Sequence, residues 1–141
     1  MPADRCDESM YVSGLLQAAD VHGLVVVTQP AWQTLLRGVR EQLRARRDLL
    51  VDSLRKHAPR AHVQAVPPGG LNLWARLPDA TDLDQLAQNC ERSGVLIAPG
   101  TEWFPAEPAG AFIRLNHSGP NPSAFAEGAR ILGKALHETS P

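Results

Sequence analysis

Residues 69–98 read GGLNLWARLPDATDLDQLAQNCERSGVLIA, and a change of period inside this stretch decides the fold. From Leu71 to Leu77 the pattern repeats every two residues. Leu71, Leu73, Ala75 and Leu77 share one face, and Asn72, Trp74 and Arg76 share the other. Successive strand side chains point to opposite sides, so this alternation predicts a strand covered on one face. Past Pro78 the period lengthens: Leu83, Leu86, Ala87 and Cys90 form an apolar stripe at helical spacing. Thr81 with Asp84 has the form of a capping box at the start of that helix, and Gly94 is a natural stop at its end. Val95–Ala98 then reads as a short buried strand. A half-covered strand followed by an amphipathic helix packs most economically with helices on one face of a small sheet, an α+β arrangement.

The flanks extend this frame. Upstream, Pro67-Pro68-Gly69-Gly70 is a turn and Ala61–Val66 leans towards β. Before it, Trp32, Leu36, Val39, Leu43, Leu50 and Leu54 recur at intervals of three, four and seven behind Pro30, a residue suited to a first helical turn. They predict a long helix over 30–58, stopped by Pro59. One small core does not cover such a helix, so it is expected to run between two bodies or along a partner. Residues 1–29 form a separate, partly mobile segment, and within 14–28 periodicity does not separate strand from helix. Downstream, Pro99–Gly110 is a loop carrying Trp103 and Phe104. AFIRLNH (111–117) alternates as a second clear strand. Asn121-Pro122 opens a last helix whose buried face is Phe125, Ala129, Leu132 and Leu136.

Composition is that of an ordinary globular chain, with 43% hydrophobic and 21% charged residues, which argues against wholesale disorder. Fourteen basic residues against fifteen acidic ones leave a net charge of -1, without the basic surplus of a free-standing nucleic-acid binder. The charged start has no signal-peptide core, and Gly14–Val27, the most apolar stretch, is interrupted by Gln17, Asp20 and His22. Cys6 and Cys90 form no CxxC pair. A cytoplasmic location with unpaired thiols is the expectation. No phosphate-binding glycine loop, HExxH or GxSxG pattern occurs, so no catalytic, cofactor-binding or metal-ligating residue is assigned.

Arg114 is the leading candidate for binding. On its strand it faces with Phe112 and Asn116 away from the side of Ala111, Ile113 and Leu115. A strand-held guanidinium is oriented in advance to grip a carboxylate with two parallel hydrogen bonds. The competing reading is a surface arginine paired to a local acid or to water. Gly69-Gly70 permits close approach of a ligand or simply completes the proline turn. Trp103 and Phe104 wall a pocket or staple their loop. Arg37, Arg40, Arg44, Arg46 and Arg47 make a basic stripe diluted by Glu41, Asp48 and Asp52, which reads as a solvated helix face. The five histidines (22, 57, 62, 117 and 137) show no ligand spacing.

Taken together, PPGGLNLWARLPDATDLDQLAQNCERSGVLIAPGTEWF (67–104) and FIRLNHSGPNPSAFAEGARILGKAL (112–136) resemble the end of fold-type I pyridoxal-phosphate-dependent aminotransferases. The likeness lies in a GG-x-x-x-W strand, a GV-x-x-x-PG stretch, an arginine-bearing strand and a final helix containing EG. YVSGLLQAA (11–19) and QPAWQTLLRGVREQLRARRDLL (29–50) most resemble MocR-type regulators of the GntR family, which join a winged-helix DNA-binding domain to an aminotransferase-like body. The resemblance implies an edge of the large domain in 1–29, an interdomain helix in 30–58 and a small lobe in 59–141. It gives Arg114 the substrate-carboxylate role in the intact protein and places Gly70 near the substrate. It also implies pyridoxal phosphate in the intact family, bound through a large-domain lysine. Neither Lys56 nor Lys134 matches that lysine, so the chain alone is expected to be inactive, without cofactor. Expected partners are the missing large domain or a second subunit, an amino-acid-like small molecule, and DNA only through an absent N-terminal domain. A true aminotransferase parent and a stand-alone interaction module are the alternatives.

Overall fold

The computed structural model describes residues 29–103 and 110–139. The segment 14–28, Cys6 and Phe104 lie outside the described residues, as does the side chain of Trp103. Backbone contacts divide the chain into two compact units, Met1–Glu41 and Gln42–Pro141.

Helix α1 spans Pro30–His57 and ends with Arg55, Lys56 and His57, cations that suit the negative end of a helix dipole. In the second unit its burial concentrates on Leu50, Val51, Ser53 and Leu54. In the first unit Val39, placed by periodicity on the buried stripe, is exposed. Ala58 still donates its N–H to the Leu54 carbonyl before Pro59 ends the ladder.

The sheet has three strands, β1 (Asn72–Arg76), β2 (Ala98–Pro99) and β3 (Phe112–Asn116), in the order β1-β3-β2. Both pairings are antiparallel, with Trp74 opposite Arg114 on one side and Ala98 opposite Arg114 on the other. Burial alternates along β1 as the sequence predicts: Leu73, Ala75 and Leu77 are buried, and Trp74 is 37% exposed. Two expected strands shrink. The 61–66 segment keeps a single bridge, His62 to Arg76, before the chain bends at Gln64. Val95–Ala98 is no buried strand, since Leu96 is 82% exposed. Pairing there is confined to Ala98–Pro99, at the sheet edge, where the missing N–H of proline costs no ladder bond.

Helix α2 (Leu83–Arg92) is capped one residue later than the sequence pattern suggests: Asp82, not Thr81, accepts the Gln85 N–H. It ends in a Schellman motif. Gly94 takes φ 85° and donates to the Glu91 carbonyl, while Val95 donates to that of Cys90. Pro122–Ala124 forms a 3-10 turn that leads into α3 (Phe125–Thr139). The core joins Leu54 of α1, Leu73 of β1, Leu86 of α2, Ile113 of β3, and Leu132 and Leu136 of α3. Among the described residues, the three helices thus contribute to the core on the same face of the sheet, as an α+β reading requires. Gly133 of α3 lies against the end of α1, where any Cβ would overlap the His57 carbonyl. No helix among the described residues is long and apolar enough to cross a membrane.

Candidate functional site

The sheet face turned away from the helices carries Asn72, Trp74, Arg76, Phe112, Arg114 and Asn116, because strand residues two apart share a side. β3 is the central strand, so Arg114 is flanked on both sides, by Trp74 and by Ala98. It is half-buried and engaged in contacts of its own. Trp74 and Phe112 come together beyond it. A Cβ at Gly100 would stand 3.0 Å from the Phe112 Cβ and 3.1 Å from Trp74 Cζ3, so this position admits only glycine without displacement. The Arg76 guanidinium lies 5.8 Å from the Phe112 ring centroid and pairs with Asp79 at 3.2 Å. Arg76 therefore braces the end of the sheet where β3 begins.

At the opposite end, Asn116 Nδ2 donates to Asn72 Oδ1 (3.2 Å), while Asn116 Oδ1 accepts from the Ser118 N–H and hydroxyl. Gly70 precedes this end with φ 84° and nothing within 4 Å of an added Cβ. Glycine is favoured there by backbone conformation and not by crowding.

Two arginines of the α1 stripe are partly buried and tied to backbone carbonyls. Arg46 donates to the carbonyls of Ser118 (3.1 Å) and Gly119 (2.8 Å), and Arg47 donates to that of Pro67 (2.8 Å). Arg37, Arg40 and Arg44 are exposed, as expected of a helix surface. Sequence reasoning also passed over His117, which is 1% exposed with both ring nitrogens unpaired among the described residues. The signal was present: His117 shares the parity of Ile113 and so points inward.

The chain has two lysines, Lys56 and Lys134, both exposed, and Lys134 pairs with Glu138 at 3.9 Å. Cys90 is fully buried, and burial pushes its thiol pKa up, away from the reactive thiolate. Among the described residues no group of three or more His, Cys, Asp or Glu side chains is arranged to hold a metal.

No family model matches the chain. It is similar to the HTH-type transcriptional regulator TauR of Rhodobacter capsulatus, 39% identical over 69 residues, which is 48% of this chain and 14% of that protein. It is also similar to the 2-aminoadipate transaminase of Thermus thermophilus, 25% identical over 127 residues, covering 85% of this chain and 32% of that one. Among solved structures, the α-aminoadipate aminotransferase LysN from Thermus thermophilus, complexed with N-(5'-phosphopyridoxyl)-L-leucine, superposes with TM-score 0.73 at 24% identity. It covers 84% of this chain and 30% of that chain. The fold is therefore that of the C-terminal portion of fold-type I aminotransferases, and the sequence relatives include both aminotransferases and MocR/GntR-type regulators. The chain spans less than a third of each of these three proteins.

Proposed function

We propose that this chain is the small lobe of a pyridoxal-phosphate-dependent, aminotransferase-like protein of the MocR regulator type, and that Arg114 receives the carboxylate of a cofactor-bound amino compound. In this reading residues 1–29 are an edge of the large domain, 30–58 the interdomain helix and 59–141 the lobe. The cofactor and its lysine belong to the large domain, supplied by another part of the protein or by a second subunit. DNA is contacted only through a separate N-terminal domain. The chain by itself is inactive and binds the cofactor only in that larger context, and its location is cytoplasmic.

The observation that carries the reading is the position of Arg114 on the central strand, on the sheet face opposite the core. An arginine fixed by strands on both sides keeps its fork oriented and loses less freedom on meeting a planar anion. What this chain supplies is orientation of a carboxylate, and closure of such a lobe over an occupied site would bias attached DNA-binding domains. Gly70 contributes a backbone position with open space above it.

The reading is tested on the 141-residue chain by NMR of the arginine side-chain Nε–H groups. L-Leucine is expected to shift Arg114, leucinol, which lacks the carboxylate, to leave it in place, and Arg114→Lys to remove the response. Carboxylates that move Arg76 or Arg130 and not Arg114 overturn it. The second reading is an aminotransferase parent, favoured by the 85% of the chain that aligns with the transaminase. A winged-helix reading frame upstream separates the two.

A further inference from the structure

His117 is a buried group that packing alone does not explain. Its backbone N–H donates to the Leu71 carbonyl at 2.9 Å, which ties the end of β3 to the start of β1. Its ring, by contrast, is 1% exposed and uses neither nitrogen among the described residues. A neutral imidazole carries one donor and one acceptor, and enclosing both unpaired costs stability that an apolar side chain in the same place would not.

The chain just after His117 is tied to α1, and the Arg47 cation acts electrostatically on the ring. Arg47 of α1 is held at two points: its guanidinium meets Asp48 Oδ1 at 2.8 Å and donates to the Pro67 carbonyl at 2.8 Å, leaving the side chain 15% exposed. Pro67 opens the turn that contains Gly69 and Gly70. The preceding arginine, Arg46, donates to the carbonyls of Ser118 and Gly119, directly after His117. Consecutive arginines of one helix thus clasp the chain where it enters β1 and where it leaves β3.

We propose that His117 makes this clasp proton-sensitive: on taking up a proton it adds a second cation to the surroundings of Arg47, breaks the Arg47–Pro67 contact and releases the Gly69–Gly70 turn. The charges acting on the ring among the described residues come from α1. Burial holds the imidazole below its ordinary pKa, the Arg47 cation adds to that effect, and Asp48 opposes both. From the β1 side the ring's residue meets the Leu71 backbone, and Arg46 is already committed to the carbonyls beyond it. At neutral pH the ring is uncharged and the clasp is closed. As the pH falls below the ordinary histidine value of about 6.5, protonation opens it. Any consequence for a ligand at Gly70 rests on the function proposed above, but the clasp itself does not.

The experiment is an NMR pH titration of the whole chain without ligand. It follows the His117 imidazole, the Arg47 Nε–H, the Gly69 and Gly70 amides, and the Gly94 amide as a remote control. His117 is expected to titrate below about 6.5. Arg47, Gly69 and Gly70 should change with the same midpoint while Gly94 does not. His117→Phe should abolish the shared transition and keep the turn closed throughout. Arg47→Gln, which leaves the core histidine in place, should raise the His117 midpoint and remove the response of the turn. The proposal is overturned by a histidine titrating at its ordinary value, by glycine amides that ignore its transition, or by the same transition surviving in His117→Phe. Arg114 takes no part in these readouts, so failure here leaves the carboxylate reading standing, and the reverse.

Discussion

Gly128 and Gly133 lie on the same helix, yet the same change to alanine has opposite expected effects. At Gly133 a Cβ would overlap the His57 carbonyl, and backbone on both sides must move. Forcing extra volume into a packed crossing costs about 1–3 kcal/mol, so Gly133→Ala should lower the urea midpoint. At Gly128 the nearest atom to a new Cβ is Val95 Cγ2 at 4.0 Å, an ordinary contact. Gly128→Ala should stabilise by about 0.5–1 kcal/mol, the helix-interior penalty of glycine. His117 adds a pH dependence of known sign. Its folded pKa is lowered by burial first and then by Arg47, so the folded chain binds fewer protons than the unfolded chain just below the ordinary histidine range. Stability from this group is therefore present above about pH 6.5 and lost as the pH falls towards the folded pKa. Urea unfolding in His117→Phe should have a flatter pH profile across that window.

Among elements, α2 separates what a motif suggests from what a cap does. Both Thr81-x-x-Asp84 and Asp82-x-x-Gln85 have the form of a helix start, and the choice depends on where the chain leaving Pro78 turns into the helix. The structure takes Asp82, whose carboxylate accepts the Gln85 N–H at 3.0 Å. Thr81 is buried with no partner for its hydroxyl among the described residues. Asp82→Ala should cost about 1 kcal/mol in thermal or urea unfolding. Thr81→Val, which removes an unpaired buried hydroxyl at similar volume, should be neutral or stabilising. Equal losses from the two changes would mean that Thr81 shares the cap. Helix α1 gives a similar lesson: its arginine stripe is a solvated surface at Arg37, Arg40 and Arg44 but a pair of backbone clasps at Arg46 and Arg47. Charge spacing along one helix does not reveal which guanidinium a distant loop will meet.

For the whole molecule, the expected outcome with pyridoxal phosphate is set by its lysines. Lys56 and Lys134 are exposed on helices, whereas a Schiff-base lysine is activated by its enclosed surroundings. Mixing the chain with the cofactor, reducing with borohydride and mapping the adduct by mass spectrometry should find no single favoured lysine. One dominant adduct at either position would refute the proposal that the cofactor site belongs to another part of the protein. The comparisons agree in scale with a part: the chain covers 14% of the regulator and 32% of the transaminase it resembles.

The sequence by itself determined the types of the main elements and most of their covered faces, though not the short pairings near 61–66 and 95–98 or the exposure of Val39. Period two over 71–77 and 111–117, and helical spacing over 30–58, 83–90 and 125–136, are local patterns set by neighbours a few residues apart. It also singled out Arg114 as an outward residue on a strand. Tertiary structure alone decided that β3 is central, so that Arg114 lies between Trp74 and Ala98. It likewise decided that Leu96 is exposed, that Gly133 receives the end of α1, and that Arg46 reaches carbonyls 72 and 73 residues away. The reason is physical: strand order, close approach and long-range hydrogen bonds depend on which distant residues are brought together, and no local period encodes that pairing.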